Sequence, residues 1–303
     1  MNFKKFFLTL VISFIVLSIV MTGITFFSAI GGFSGILDKS SNGTTNILVV
    51  GVDADGTRTD TIMLLSVTPK DKTIDILSIP RDTRVSLKKG YHTKINSCIG
   101  KDNGEQLLID NVKELTGLPV HSFCKVNFDG VSNIIDILGG VEYDVPMNMD
   151  YDDPVQDLHI HLKKGKQRLN GDQSVGLLRF RSGYANADLG RISTQQDFIK
   201  EVAKQKLNIR YIFKLFPIMG QVKENVETDL SPADILQLAW KFRNSKDVKI
   251  ESYILPGEAK TIGGVAYYVS DNDAAQQISM MFETVPTGED GKSPDTLSDK
   301  VID

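Results

Sequence analysis

Nine arginines stand against twenty-five lysines in this chain, and six of the nine fall in three short stretches. Arg58 lies in Arg58-Thr59-Asp60-Thr61, Arg81 and Arg84 follow Ile79-Pro80, and Arg179, Arg181 and Arg191 share one window. A guanidinium is planar, forked and permanently charged, so it grips phosphate or carboxylate oxygens through paired hydrogen bonds that an ammonium cannot match. The first two stretches also carry Asp53, Asp55, Asp60 and Asp82. Arginines beside carboxylates point to a phosphate-bearing ligand held partly by a divalent metal. Ordinary salt bridges between elements are the plainer alternative for any one pair. Three clusters together favour the ligand.

The elements around these residues follow from apolar patterning. Asn46–Gly51 is a short apolar run that reads as a buried strand, with Asp53 and Asp55 on the loop after it. Thr61–Val67 and Thr73–Pro80 read as two more strands, and the turn Pro69-Lys70-Asp71-Lys72 makes them an antiparallel hairpin. Antiparallel pairing brings Arg58–Asp60 and Arg81–Asp82 to the same sheet edge. Asp102–Thr116 fits an amphipathic helix with Leu107, Leu108, Val112 and Leu115 on its apolar face. His121–Phe128 alternates like a strand, Val131–Leu138 is a helix stopped by Gly139-Gly140, and Val141–Val145 is a strand. Ser174–Phe180 reads as a buried strand that places Arg179 and Arg181 on one face. Ala187–Leu207 is a helix on which Arg191 and Gln195 share a face, and Ser231-Pro232 starts another. Val248–Leu255 and Val265–Val269 are late strands. Strands alternating with helices predict an α/β fold, a single α/β/α sandwich domain with a mixed central sheet.

The N-terminal region bounds where this domain works. Phe6–Ile30 is strongly apolar, uncharged and long enough to span a bilayer, and Lys4 and Lys5 precede it. The run is too long for a cleaved signal peptide and no A-x-A site follows, so an uncleaved signal-anchor is expected. That divides the chain into a cytoplasmic stub (1–5), a transmembrane helix (6–30), a spacer (31–44), an extracellular domain (45–286) and a disordered tail (287–303). The predicted localisation is the cell membrane, single-pass, N-terminus inside. Of 34 basic residues two precede the anchor, which leaves 32 against 38 acidic ones outside, a net of −6. Such a surface is unsuited to nucleic acid. Cys98 and Cys124 fall on the oxidising side, and sequence leaves both a disulfide and two free thiols open. His159 and His161 alternate on a strand and read as surface residues, with no third metal partner nearby in sequence.

Seven motifs then occur in a fixed order: Asn46–Asp53, Arg58-Thr-Asp-Thr61, Ser78-Ile-Pro-Arg-Asp-Thr83, Lys94-Ile95-Asn96, Gly139-Gly140-Val141, Arg179-Phe-Arg181 and Asp188-x-Gly190-Arg191-x-x-x-Gln195. In this the chain resembles LytR-CpsA-Psr proteins over about residues 44–210. The resemblance implies a membrane-anchored phosphotransferase. Its donor would be an anionic glycopolymer, of the wall teichoic acid or capsular polysaccharide type, on a polyprenyl-pyrophosphate carrier. Its acceptor would be a muramic acid hydroxyl of peptidoglycan. It implies Mg²⁺ as the metal and an apolar groove for the carrier lipid. Position by position, it implies that Asp53 and Asp60 are metal-associated. Arg58, Arg81, Arg179, Arg181 and Arg191 would contact the pyrophosphate, and Lys94 and Gln195 would lie beside it. Asp82 would orient Arg81. One departure is visible, because Thr194 stands where the family often has a second arginine.

The chemistry agrees with that implication. Displacing a polyprenyl phosphate from a pyrophosphate puts charge on oxygens that arginines and a metal would stabilise. Either Asp82 or a metal-bound water could serve as general base for the incoming hydroxyl. Water in place of the sugar would give weak pyrophosphatase activity. Apolar residues on helices Gln106–Leu115 and Ser132–Leu138 are candidates for the groove, although core packing is their commoner fate. Two other functions compete: a module that binds the carrier lipid without turnover, and a transcriptional attenuator, which five cytoplasmic residues could not make by touching DNA.

Overall fold

Strand β1 (Thr45–Val52) is buried almost throughout, because both of its faces meet apolar partners. Leu48 and Val50 face one side, while Ile47 and Val49 face the other. The computed structural model describes residues 43–283, apart from residues 54, 89, 155–157, 185–186, 208–210, 212–223 and 243–247. The expected anchor, most of the spacer and the tail lie outside the described residues. Among the described residues no helix is long and apolar enough to cross a membrane.

β2 (Thr59–Thr68) and β3 (Thr73–Ser78) form the antiparallel hairpin that the sequence predicts, and β1 pairs antiparallel with β2. Two small hairpin strands follow, β4 (Arg84–Lys88) and β5 (Tyr91–Lys94), then a 3₁₀ turn at Ile95–Ser97 and helix α1 (Gly104–Thr116). β6 (Ser122–Val126) lies parallel to β1. Far along the chain, β11 (Val226–Thr228) adds antiparallel to β6, and β12 (Lys249–Ile254) adds parallel to β3. The order β11-β6-β1-β2-β3-β12 makes one mixed sheet, the α/β arrangement expected from the sequence.

Helices cover both faces of this sheet. On one face α1 and α6 (Ala274–Glu283) bury Leu108, Val112, Ala274 and Ile278 against Leu48, Val50, Ile62, Leu64 and Leu77. On the other face Ile47 and Val67 meet Phe242, at the end of α5 (Pro232–Lys241), together with Leu207 and Leu238. The capping box at Ser231 and Asp234, with Pro232 at the first helical position, sets the start of α5 as the sequence foretold. Strands β13 (Gly257–Ile262) and β14 (Val265–Ser270) form an outlying hairpin.

A second core lies beside the sheet. It joins α2 (Phe128–Ile137), β7 (Val141–Val145), β8 (Met149–Asp153), β9 (Leu158–Leu162), β10 (Gly165–Leu169), α3 (Gly171–Arg179) and α4 (Ala187–Lys206). α2 begins at Asn127, whose side chain accepts from the Gly130 amide at 2.8 Å, and ends at Gly139-Gly140. Gly140 has φ +75°, and a Cβ there would lie 2.8 Å from the Leu169 carbonyl oxygen, so only glycine fits.

One element departs from expectation. Ser174–Phe180 is not a strand: most of it belongs to helix α3. Asn170 Oδ1 accepts from the Gln173 amide at 2.9 Å, and Gln173 Oε1 accepts from the Asn170 amide at 3.0 Å. This capping box starts a helix, and Gly171, Ser174 and Leu177 then recur on its buried face at helical spacing. The period-two argument for Arg179 and Arg181 therefore lapses. Arg179 ends the helix, and Phe180 is extended, leading the chain out to Arg181.

The sheet also buries one charge at some cost. Asp75 on β3 is 5 % exposed, its Oδ1 has no hydrogen-bond partner, and Glu251 stands opposite on β12. Burial, with the Glu251 charge added, pushes its carboxyl up to about 6. A carboxyl raised in the folded state weakens folding as pH climbs from its unfolded value, about 3.9, to about 6, after which the penalty is constant. Asp75→Asn is therefore expected to be more stable than the parent above pH 6, by on the order of 2 kcal/mol, and to lose that advantage below pH 4. Urea unfolding at pH 7.5 and pH 4.5 measures this; equal gains at both would refute it.

Candidate functional site

The site forms where β1, β2 and β3 end together. Gly51 pairs with Thr61 but Val52 pairs with Thr59, so Asp60 is the extra residue of a β-bulge. A bulge breaks strand alternation and re-aims a side chain. Asp60 thereby lines the same cavity as Thr61 and Met63. The loop before it is drawn in by Asp53, whose Oδ1 accepts from the amides of Thr57 (3.0 Å) and Arg58 (3.2 Å). Arg58 is exposed on that turn.

Arg81 comes from the neighbouring strand end. Pro80 turns the chain, and the Thr83 amide and hydroxyl both donate to its carbonyl, at 2.9 and 2.6 Å. The Lys94-Ile95-Asn96 segment fastens this loop from beside it: the Ile95 amide donates to Thr83 O (2.8 Å) and the Asn96 amide to Arg81 O (3.1 Å). Lys94 Nζ pairs with Asp82 Oδ1 at 3.0 Å. Arg81 is ion-paired with Asp60 and Asp82 with Lys94, so the sequence motifs are clasped to one another.

Asp60 sits at the centre. Its Oδ1 accepts from Arg81 Nη1 at 2.6 Å and from Arg181 Nη2 at 3.1 Å, and its main-chain oxygen accepts from Arg191 Nη2 at 3.2 Å. Burial alone would raise its carboxyl, but Arg181, Arg81 and Arg191 together hold it below the ordinary range, so it stays ionised. Arg191 is 2 % exposed on α4. Arg179 lies over the Phe128 ring, 4.5 Å from its centroid, a cation–π contact that aims the end of α3. Arg81, Arg181 and Arg191 thus converge on Asp60 with Arg179 nearby, a concentration of guanidinium groups suited to an anionic ligand. Burial lowers Arg179, while Asp60 and Asp153 favour its charged form.

Gln195 is buried, and its Nε2 donates to the Leu178 carbonyl at 3.0 Å, tying α4 to the helix end that carries Arg179. Thr194, the departure from the family pattern, is buried too; its hydroxyl meets Tyr184 Oη at 2.7 Å. Gly190 makes room for Tyr184, since a Cβ there would lie 2.5 Å from the ring. Phe128 and Tyr184 were not legible as site residues. The only signal for Phe128 was its place directly after the N-cap Asn127.

Behind the arginines opens an apolar cavity of about 320 Å³. Val49, Met63, Val126, Val131, Ile134, Phe198, Ile199 and Val202 line it, with Asp60, Arg179, Arg181, Arg191 and Gln195 at its polar end. Of the two helices expected to supply such a groove, α2 contributes Val131, Ile134 and Ile135, whereas α1 packs into the core on the opposite sheet face. Cys124 also lines the cavity, and both cysteines are free. Cys98 is buried in the first core, where burial pushes its thiol up to about 11.

The residues present suit a hard divalent cation. Asp53 and Asp60 offer ionisable oxygen donors at adjacent ends of β1 and β2, and Mg²⁺ takes one or two carboxylates from a protein before water and phosphate complete its shell.

Comparison with known proteins places this arrangement. The model of the LytR_cpsA_psr family matches residues 30–283. The chain is 30% identical over 238 residues to the polyisoprenyl-teichoic acid–peptidoglycan teichoic acid transferase TagV of Bacillus subtilis (strain 168), covering 76% of this chain and 61% of that protein's length. TagU of the same organism, another transferase of that name, is 30% identical over 77% of this chain and 75% of its own. The crystal structure of B. subtilis TagV superposes with a TM-score of 0.69 at 28% identity, over 79% of this chain and 96% of that one. A structure of TagT bound to LI-WTA superposes with a TM-score of 0.64 at 25% identity, over 79% and 89%. The chain belongs to the LytR-CpsA-Psr family.

Proposed function

We propose that this chain is a membrane-anchored phosphotransferase that moves an anionic glycopolymer, of the teichoic acid or capsular polysaccharide type, from a polyprenyl-pyrophosphate carrier to peptidoglycan. The observation that carries the reading is the junction of two opposite environments. Arg179, Arg181 and Arg191 line the polar end of an apolar cavity, and Arg81 is paired with Asp60 at that same end. A pyrophosphate joined to a long hydrocarbon needs both at once. The teichoic acid transferase activity for which TagU and TagV are named, and the LI-WTA bound to TagT, support the same substrate class.

The residues divide the work as follows. The guanidiniums take the phosphate oxygens and are fixed before the ligand arrives, so stabilising charge in the transition state costs little reorganisation. Asp60 holds Arg81 and Arg181 in register, and Gln195 and Phe128 aim Arg179. Asp53 and Asp60 would hold Mg²⁺, which when bound neutralises charge on the transferring group. Lys94, clasped to Asp82, adds a positive charge beside the loop of Arg81. Asp82 is the protein's own candidate to take the acceptor's proton. The apolar residues Phe6–Ile30 would keep the enzyme on the outer face of the cell membrane, where the lipid-linked donor is confined.

Arg81→Ala is expected to lower transfer by about 100-fold or more, the loss typical of one oxyanion-stabilising donor. Asp60→Asn is expected to fall comparably, because two arginines lose their anchor. The assay is attachment of a lipid-pyrophosphate-linked saccharide to peptidoglycan by the full chain, with circular dichroism to confirm folding. Wild-type rates in both variants would end the proposal. Retention of the lipid with no turnover for any polymer would leave a carrier-binding module in its place.

Stripping divalent ions with a chelator is expected to abolish transfer, and Mg²⁺ to restore it. Because arginines hold Asp60 below the ordinary aspartate range, that restoration should survive acidification to about pH 3.9, where an unshifted aspartate would be half protonated. Full activity in chelator would remove the metal from the mechanism while leaving the arginines in it.

A further inference from the structure

Outside the arginine cluster, one group of side chains is arranged for chemistry that the transferase reading does not use. β8 and β9 form an antiparallel hairpin in which Asp150 stands opposite His161 and Asp152 opposite His159. Met149, Leu158, Ile160 and Leu162 turn inward and are buried in the second core. The four polar residues share the outer face, at 52 to 84 % exposure. Ile160 seats against Gly176 of α3, so this face is backed by packed structure.

We propose that Asp152, His159 and His161, supported by Asp150, form a binding site for a divalent transition-metal cation of the Zn²⁺ class, separate from the Arg–Asp site. Ligand atoms of the three residues already lie within 4.8 Å of one another. Asp152 Oδ1 lies 2.5 Å from His159 Nδ1 and 3.5 Å from His161 Nε2. Those spacings bracket the edge of roughly 3.3 Å that a tetrahedral site with bonds near 2.0–2.1 Å requires.

The decisive detail is the fourth residue. His161 Nδ1 lies 2.6 Å from Asp150 Oδ1. A proton on Nδ1, donated to that carboxylate, leaves the lone pair of Nε2 pointing towards Asp152 and His159. A carboxylate behind a histidine, fixing its tautomer and orientation, is how metal-ligating imidazoles are held. Surface pairing alone needs no such order: two aspartates and two histidines could form two independent pairs. Here one carboxylate oxygen approaches both rings while the other aspartate stands behind one of them.

The donor set selects the ion. Two imidazoles and a carboxylate suit Zn²⁺, Ni²⁺ or Cu²⁺, whereas Mg²⁺ prefers oxygen throughout. Three protein ligands leave a fourth position for water, and the exposure of the hairpin leaves that position open to solvent. The ion would also cross-link β8 to β9. The same strand ends at Asp153, whose charge bears on Arg179. The inference stands on the hairpin alone and does not depend on the transferase reading.

The test is calorimetric titration of the full chain in detergent with Zn²⁺ alone, in the presence of millimolar Mg²⁺. One saturable site per chain is expected. His159→Ala and His161→Ala should each abolish it, and Asp150→Asn should weaken it by about 10-fold, the usual cost of losing the carboxylate behind a ligand. All three side chains are exposed, so folding is expected to survive, and circular dichroism checks it. Substitution with Co²⁺ should give the visible absorption of a low-coordinate site in the parent and none in His161→Ala. Absence of saturable Zn²⁺ binding, or binding unchanged in both histidine variants, would overturn the proposal.

Discussion

The site depends on one carboxylate among four guanidiniums. Without the Asp60 carboxylate, the charges of Arg81, Arg181 and Arg191 would repel one another with less to offset them. With it, each approaches a shared oxygen or the adjacent main chain, and together they still keep an excess of positive charge. The bulge at Gly51/Val52 makes this arrangement available. An unbroken strand would send Asp60 to the face opposite Thr61, under α1 and among aliphatic side chains.

The rest of the architecture positions partners for that residue. β3 and the Pro80 turn deliver Arg81, α4 delivers Arg191 and Gln195, and the end of α3 delivers Arg179 and Arg181. These elements reach one point because the second core, built from α2, β7–β10, α3 and α4, leans on the sheet beside β1 and β6. The gap left between the second core and the sheet face that carries Val49 and Met63 is the apolar cavity, so the same packing that gathers the charges also shapes the space behind them.

The hairpin and its shared edge were legible in sequence, because strand pairing through a short polar turn fixes which ends meet. That pairing alone sets Arg58-Thr-Asp-Thr61 and the Arg81 loop at one sheet edge. The helix α3 was not legible: Ser174-Val-Gly-Leu-Leu-Arg-Phe180 carries an apolar run short enough for a strand, and the capping box at Asn170 and Gln173 was the signal that outweighed it. The pairing of Asp82 with Lys94 was not legible either, because it rests on the small β4–β5 hairpin, whose register returns Lys94 opposite Arg84. His159 and His161 looked solitary because Asp150 and Asp152 come from the opposite strand, and a cross-strand register cannot be read from one strand alone.

The order of the central sheet carries a consequence for how the chain folds. Both outer strands, β11 and β12, come from the last third of the described residues, while the four strands between them precede Asn127. Until that late segment has been made, the open backbone edges of β6 and β3 can template pairing with another chain. The finished edges are poor templates: β11 is three residues long, and β12 carries Lys249 and Glu251. A chain cut short after α4 would keep every arginine of the candidate site and still be prone to aggregate, so the late strands act as edge guards for a site to which they contribute no arginine.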